Sequence, residues 1–331
     1  MKQIIRIRHI VVAVLMMTGS IQSLAQKQHV LNRRIDSVLT VRYNRIDIDT
    51  GYVFRPQTKW TLTGRVNLSA SRIGAEWKED GKAFLSEMTS DHKVTVSIGA
   101  SYLGTTLNVA LNPAKLMGKY HDYELNFRSY GQRFGFDLAY QDAQNFDGWY
   151  ESDDMGRKSL PDDMMKLRTL NVNAYYAFNH RRFSYPAAFS QTYIQRRSAG
   201  SFLIAASAQG QHGKVDNEGE TMDFKMTNIG IGGGYGYNFV PAKGWLFHIS
   251  ALPTFIVYSK TSIKFNESRI PLDYHFPEVI ITGRGSIVKQ IGKNMFAALS
   301  MVYNYTRIGQ KGDLAVNNQK WLVRTYFGIR L

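Results

Sequence analysis

Cysteine is absent from this 331-residue chain. That excludes disulfides, thiolate metal sites and a lipid-bearing cysteine at an export cleavage site. Proline is scarce, with 8 copies, against 19 tyrosines and 18 phenylalanines, a mix that favours strands over proline-rich loops. After the first 25 residues no apolar run reaches the roughly 20 residues that a membrane-crossing helix needs. The Asp-Thr-Gly at Asp49, Thr50 and Gly51 has no second copy. Aspartic-protease chemistry needs two carboxylates sharing one proton, so Asp49 and Thr50 read instead as a turn ahead of the first strand.

The chain opens on an export pattern. Lys2, Arg6 and Arg8 precede a short apolar core that starts at Ile10, and Ser23 and Ala25 occupy the small-residue cleavage positions. This predicts a signal peptide over 1–25, cut before Gln26. Loss of those three cations takes the formal charge from +15 to +12. An exported chain is not expected to meet nucleic acid, so the basic balance points to anionic lipid headgroups or to charge held inside the fold. Residues 26–56 form a periplasmic N-terminal segment. Within it Val30, Leu31, Ile35, Val38, Leu39 and Tyr43 recur at helical spacing among Arg33, Arg34, Arg42 and Arg45. A short basic amphipathic helix is expected there, lying on the membrane surface, entering an interior, or packed on the main domain.

From Lys59 the period becomes two. Trp60, Leu62, Val66 and Leu68 alternate with Thr61, Thr63, Arg65 and Asn67; at the other end Val323, Phe327, Ile329 and Leu331 alternate with Arg324, Tyr326 and Arg330. Twelve such segments are expected: 59–78, 82–103, 105–112, 122–130, 134–142, 166–179, 197–211, 223–240, 245–259, 275–291, 295–308 and 320–331. Many exceed the usual five or six residues of a strand and match the roughly nine to eleven of a tilted bilayer crossing. Short connections ("GQR", "PAKG", "GKN") alternate with long polar ones at 143–165, 212–222, 260–274 and 309–318, the arrangement of outer-membrane barrels. The fold class expected for 57–331 is therefore all-β: a closed antiparallel transmembrane barrel of about 12 strands, with 14 or 10 as alternatives, since a break at Ser69–Arg72 would add two. A large exported β-sandwich is the soluble alternative. Spacing gives no account of the long connection 180–196.

On the polar faces stand Arg65, Arg128, Arg284, Arg324 and Arg330, with Glu124, Asp137 and Glu278 as partners. Arginine facing lipid costs about 2–4 kcal/mol at the midplane, so these side chains are expected to face a lumen. They line a small anion-favouring pore or form an ion-pair network that fills the interior. "NIGIGGGYGYN" lacks the strand-turn-helix context of a nucleotide loop; its alternation instead puts Gly230, Gly232, Gly234 and Gly236 on one face, a shelf for an inward loop or the N-terminal segment. His248 and Ser250 share a strand face, like the His-x-Ser pair of an outer-membrane phospholipase, but here Trp245, Phe247 and Ile249 take the apolar face. The acidic side chains of 143–165, Asp147 and Glu151 among them, match no calcium-loop spacing. No cofactor, metal site or catalytic group is expected.

Several long stretches, "LNVALNPAKLMGKYHDYELN", "NVNAYYAFNHRRFSYPAAFSQTYIQRRSAGSF", "GYGYNFVPAKGWLFHISALPTFIVY" and "PLDYHFPEVIITGRG", resemble an uncharacterised family of Bacteroidota outer-membrane β-barrels, domain of unknown function 4421. The resemblance runs from about Asp49 to Leu331. It implies an integral outer-membrane barrel and brings no activity with it. The expected partners are outer-membrane lipid and, during insertion, the barrel assembly machinery, with nucleic acid excluded. The role expected is a small pore or a structural membrane protein; the alternatives are a phospholipase-like enzyme, or a receptor or adhesin acting through the long loops.

Overall fold

The computed structural model describes residues 36–38, 40–41, 43–44, 47–79, 81–103, 105–111, 123–144, 146–154, 156–161, 164–217, 220–266, 268–270, 276–309 and 314–331. The expected signal peptide lies outside them. The chain divides into two units, 1–47 and 48–331. In the first, residues 36–38, 40–41 and 43–44 are helical; the remainder of the expected amphipathic helix lies outside the described residues.

The second unit is built almost wholly of strands. In chain order they are β1 (Val53–Phe54), β2 (Trp60–Glu79), β3 (Lys82–Ser90), β4 (Lys93–Tyr102), β5 (Thr105–Leu111), β6 (Tyr123–Tyr130), β7 (Phe134–Ala143), β8 (Phe146–Ser152) and β9 (Gly156–Leu160). There follow β10 (Met165–Ala177), a helix α1 (Tyr185–Phe189), β11 (Ile194–Gln195), β12 (Ala199–Asn217), β13 (Glu220–Phe239) and β14 (Trp245–Phe265). The last are β15 (Ser268–Ile270), β16 (Val279–Ile291), β17 (Met295–Gly309) and β18 (Leu314–Arg330). The period of two fixes which side chains share a face. In β4, Lys93, Thr95 and Ser97 are buried while Val94, Val96 and Ile98 are exposed.

β1 and β11 pair with each other, and the other sixteen strands form one sheet. Neighbours run β18-β17-β16-β14-β13-β12-β10-β7-β6-β5-β4-β2, then from β2 through β3 and β8 to β9; β15 pairs with β14. All pairings are antiparallel. β18 also pairs with β2, from Leu314 opposite Trp77 to Arg330 opposite Thr61. Reciprocal backbone bonds between Trp60 and Leu331, 3.1 and 2.9 Å long, carry that contact to the last residue.

This corrects the expected closed antiparallel barrel of about 12, 14 or 10 strands: the sheet holds sixteen strands and branches at β2. The cause is the length of β2, 20 residues. Its first half pairs with β4 and its second half with β3. Between Ser69 opposite Lys93 and Arg72 opposite Thr89, β2 advances three residues and its partner four. The extra residue bends the chain at Asp91–His92, as a bulge does, and divides the segment expected at 82–103. The stretch 143–165, expected as a loop, contributes β8 and β9, and β8 pairs with β3. Likewise 212–222 and 260–274 are largely strand, because β12, β13 and β14 run for 19, 20 and 21 residues. At about 3.3 Å per residue such strands span roughly 65 Å, well beyond a bilayer core.

The polar face of the sheet wraps around an interior, since strands far apart along the sheet path meet through it. Arg284 on β16 reaches Asp137 on β7 at 2.5 Å, Thr306 on β17 reaches Gln209 on β12 at 3.0 Å, and Lys320 on β18 reaches Gln141 on β7 at 2.5 Å. Toward the long-loop end the filling turns apolar, with Phe146, Met165, Leu167, Phe224, Ile256 and Ile280 in one buried cluster.

Candidate functional site

The connection between β10 and β12, residues 178–198, folds into the interior at the end that bears the short turns. Its sequence starts a helix: Ser184 caps the N-terminus, its Oγ accepting from the Ala187 N–H at 3.2 Å, and Pro186 occupies the first turn. Gln191, at φ 60°, follows where the helix ends. A five-residue helix is unstable alone, so α1 must be held by its surroundings. All five of its residues are buried. The Tyr185 ring lies tilted at 4.4 Å from Tyr175 and 5.1 Å from Phe189, and edge-to-face with His248 at 5.1 Å.

The glutamines hold the backbone on either side of the helix start. Gln132, in the β6–β7 turn, donates to the carbonyls of His180 and Phe183 at 2.6 and 2.9 Å and accepts from Ser184 Oγ at 2.7 Å. Gln195 accepts from the Ser184 N–H and from Asn238 Nδ2, both at 2.9 Å, and donates to the Arg182 and Arg197 carbonyls. Each links chain segments that no local pattern connects.

From Asn238 a polar relay crosses the interior, and its direction follows from donor and acceptor chemistry. Asn238 Nδ2 donates to the Ser184 carbonyl, so Oδ1 accepts, and His248 Nδ1, 2.7 Å away, carries the proton. His248 Nε2 then accepts from Ser250 Oγ at 3.0 Å, and Ser250 accepts from the Tyr185 hydroxyl at 3.0 Å. Tyr185 accepts in turn from Arg284 Nη1 at 3.2 Å, and Arg284 Nη2 donates to Asp137. Asp137 also accepts from Asn173, which accepts from Ser207. Along this chain the Ser250 and Tyr185 hydroxyls each donate once and accept once. Ser250, His248 and Asn238 thus reproduce nucleophile, base and orienter spacing. Yet Ser250 is 3% exposed and its oxygen is engaged by Tyr185, so the arrangement ties β14 to α1.

The C-terminal strand secures the other end of α1. Tyr326 donates to the Ala188 carbonyl at 3.2 Å. Arg330, 1% exposed, donates through Nε to the Gln191 carbonyl and through Nη1 to Gln290 Oε1, both at 2.8 Å. Its guanidinium lies 4.8 Å from the Phe296 ring. Arg65 lies over the Tyr326 ring at 5.4 Å and donates to Thr63.

The other residues expected to carry charge are distributed as follows. Arg65, Arg284, Arg324 and Arg330 are buried, and Arg128 is half-buried opposite Asp137. Glu278 accepts from the Gly309 N–H at 2.7 Å. Glu124 pairs with Gln141 in the backbone register of β6 and β7, and its side chain lies outside the described ones. Of the glycine shelf, Gly236 faces the connection: a Cβ there would lie 3.0 Å from Phe183 Cζ. At Gly232 and Gly234 a Cβ would meet the β14 backbone, and at Gly230 the Thr254 side chain, so three of the four serve strand approach. Two acidic residues of 143–165 have donors nearby, Asp153 accepting from the Ala83 N–H of β3 and Glu151 pairing with Arg157, each at 3.0 Å. Among the described residues, cavities of about 10 Å³ lie beside Thr169 and Lys320 and beside Arg284, each with room for about one water.

Sequence reasoning missed Gln132, Tyr185, Gln191, Gln195 and Asn238. One signal was present: Ser184-Tyr185-Pro186 is a helix start inside a connection too long and too aromatic for a surface turn.

The chain matches the family described as "Domain of unknown function (DUF4421)" over residues 47–330. No curated protein matches it. Among solved structures it is similar to the outer membrane protease OmpT of Escherichia coli, at 6% identity and TM-score 0.47, covering 82% of this chain and 97% of that one. It is similar also to the beta domain of the Bordetella autotransporter BrkA, at 10% identity and TM-score 0.31 over 82% and 100% of the two chains. The translocator domain of the autotransporter NalP of Neisseria meningitidis matches at 9% identity and TM-score 0.30, over 94% and 98%.

Proposed function

This chain belongs to the DUF4421 family, and from that premise we propose that it is an outer-membrane protein that spans the bilayer with its sheet and whose interior is sealed by its own 178–198 connection. The observation that carries this reading is the inverted burial of the strands. Ile98, Phe202 and Ile249 are 72%, 70% and 71% exposed, while Arg65, Arg284, Arg324 and Arg330 are buried. Leaving a large apolar side chain in water forgoes about 1.5–3 kcal/mol. Over the many exposed on these strands the loss would exceed a whole domain's stability of about 5–15 kcal/mol. A lipid surround removes that loss, and it requires the arginines to face inward.

The role is structural, without a standing aqueous path. α1 and its relay occupy the turn end, and the apolar cluster around Phe146 and Ile256 fills the loop end. The Ser250–His248–Asn238 arrangement is part of the lock and performs no hydrolysis. Planar-bilayer recording tests the sealing: wild-type protein, inserted as verified by heat-modifiable migration on a gel, should give no conductance steps. Steady anion-selective openings would establish the pore instead. Lipase activity lost on Ser250→Ala would establish the enzyme.

A further inference from the structure

We propose that the turn end of this protein binds the phosphates of anionic lipid headgroups in the leaflet it borders. The proposal rests on the membrane-spanning reading above. The charge is divided unevenly between the two ends. Segments 48–59, 131–133, 178–198, 240–244 and 292–294, at the turn end, hold nine lysines and arginines and a single acidic side chain, Asp49. That aspartate is already paired with Arg182 at 3.1 Å. The loop-end stretch 144–164 reverses the balance, with six acidic and two basic residues.

The order of residues at the turns is the second observation. Lys59 immediately precedes Trp60 and Arg133 precedes Phe134; Lys243 and Lys293 stand two residues before Trp245 and Met295. In each pair the apolar member is exposed on the outer face, and the cation is exposed just beyond the strand end. At about 3.3 Å per residue the cations lie roughly 3–7 Å outside the aromatic belt. That is the step from the acyl–headgroup boundary, where tryptophan rings sit, to the phosphates. Lys289 Nζ, 4.5 Å from the Trp245 ring, places a further cation over the same belt.

A lipid fits this pattern better than a soluble polyanion. The cation–apolar pairs recur at separate turns, Arg133 with its guanidinium also 3.1 Å from His180 Nε2, whereas arginines of the central connection pack on rings and carbonyls of the turn end itself. Arg196 lies over Phe54 at 4.3 Å and donates to the Thr50 carbonyl.

The full chain is folded into phosphatidylcholine vesicles and into vesicles of equal phosphatidylcholine and phosphatidylglycerol. Lipid retained on the released protein is then counted by native mass spectrometry. Wild-type protein should retain phosphatidylglycerol preferentially. The variant Arg133→Gln, Lys243→Gln, Lys293→Gln should lose at least about fivefold of that preference, and Lys243→Gln alone should lose part of it. Arg196→Gln with Arg197→Gln should keep it. Equal retention of both lipids by wild type would overturn the proposal. So would a loss confined to the Arg196, Arg197 variant, which would point to a soluble polyanion on the central connection. Failure to insert into either vesicle sinks the membrane reading itself; insertion into both with equal retention sinks only the lipid preference.

Discussion

At the residue scale, the buried guanidiniums carry the sharpest expectations. Arg330→Ala leaves the Gln191 carbonyl and Gln290 Oε1 without their donor. A buried acceptor left unsatisfied costs about 1–3 kcal/mol, so denaturant unfolding of the inserted protein should show a loss of roughly 3 kcal/mol. Tyr326→Phe removes one bond to α1 and should lose about 1 kcal/mol. Arg284→Met strands the Asp137 carboxylate, whose side chain is 14% exposed, and should lose about 3–5 kcal/mol, while Arg284→Met with Asp137→Leu loses less, because no lone charge remains. Tyr193, in the 178–198 connection, has its phenol pushed above the ordinary 10 by burial, with Arg55 opposing. A raised phenol stabilises the fold below its ordinary pKa, and that contribution fades as pH rises through the folded value. Alkaline unfolding above about pH 10 should therefore weaken in Tyr193→Phe, measured against wild type across that range.

At the element scale, α1 and β18 form one unit. The helix is too short to persist alone, and β18 supplies Tyr326 and Arg330 to its C-terminal end. Replacing residues 184–195 with a short glycine-serine turn should leave the long strands paired yet produce conductance steps where wild type is silent. Deleting Gly328–Leu331 removes Arg330 and the last pairings to β2, and insertion, read by heat-modifiable migration, should fail. Much of this was legible in the sequence. The alternation around Val94 to Ile98 and around Val323 to Ile329 assigns faces without knowledge of partners, because the period alone dictates which side chains share a side. Partner choice was not legible. Nothing local to Asp91–His92 announces that β2 is long enough to pair with both β3 and β4, or that 143–165 pairs with β3. The lock around α1 was hidden for the same reason: nothing local marks Gln132, Gln191 and Gln195, and their partners stand 43–143 positions away in sequence, the Phe183 and Tyr52 carbonyls accepting from Gln132 and Gln195 while Gln290 and Asn238 donate to Gln191 and Gln195.

At the scale of the whole molecule, the strands invert the usual arrangement, with large apolar side chains exposed and an interior that is polar and hydrogen-bonded at the turn end and apolar toward the loop end. On the proposed reading one end is basic and sealed by its own connection, and β3, β8 and β9 extend the other beyond the bilayer. The inversion is testable residue by residue, and the absence of cysteine makes the test clean. Single cysteines at Phe247, His248, Ile249, Ser250 and Ala251 on β14 would be spin-labelled in the vesicle-inserted protein and read for collision with oxygen and with a water-soluble nickel chelate. Labels at 247, 249 and 251 should collide with oxygen and not with the chelate, while 248 and 250 are shielded from both. Chelate access at 247, 249 and 251, or no alternation along the strand, would contradict the claim that this sheet turns its apolar face to lipid.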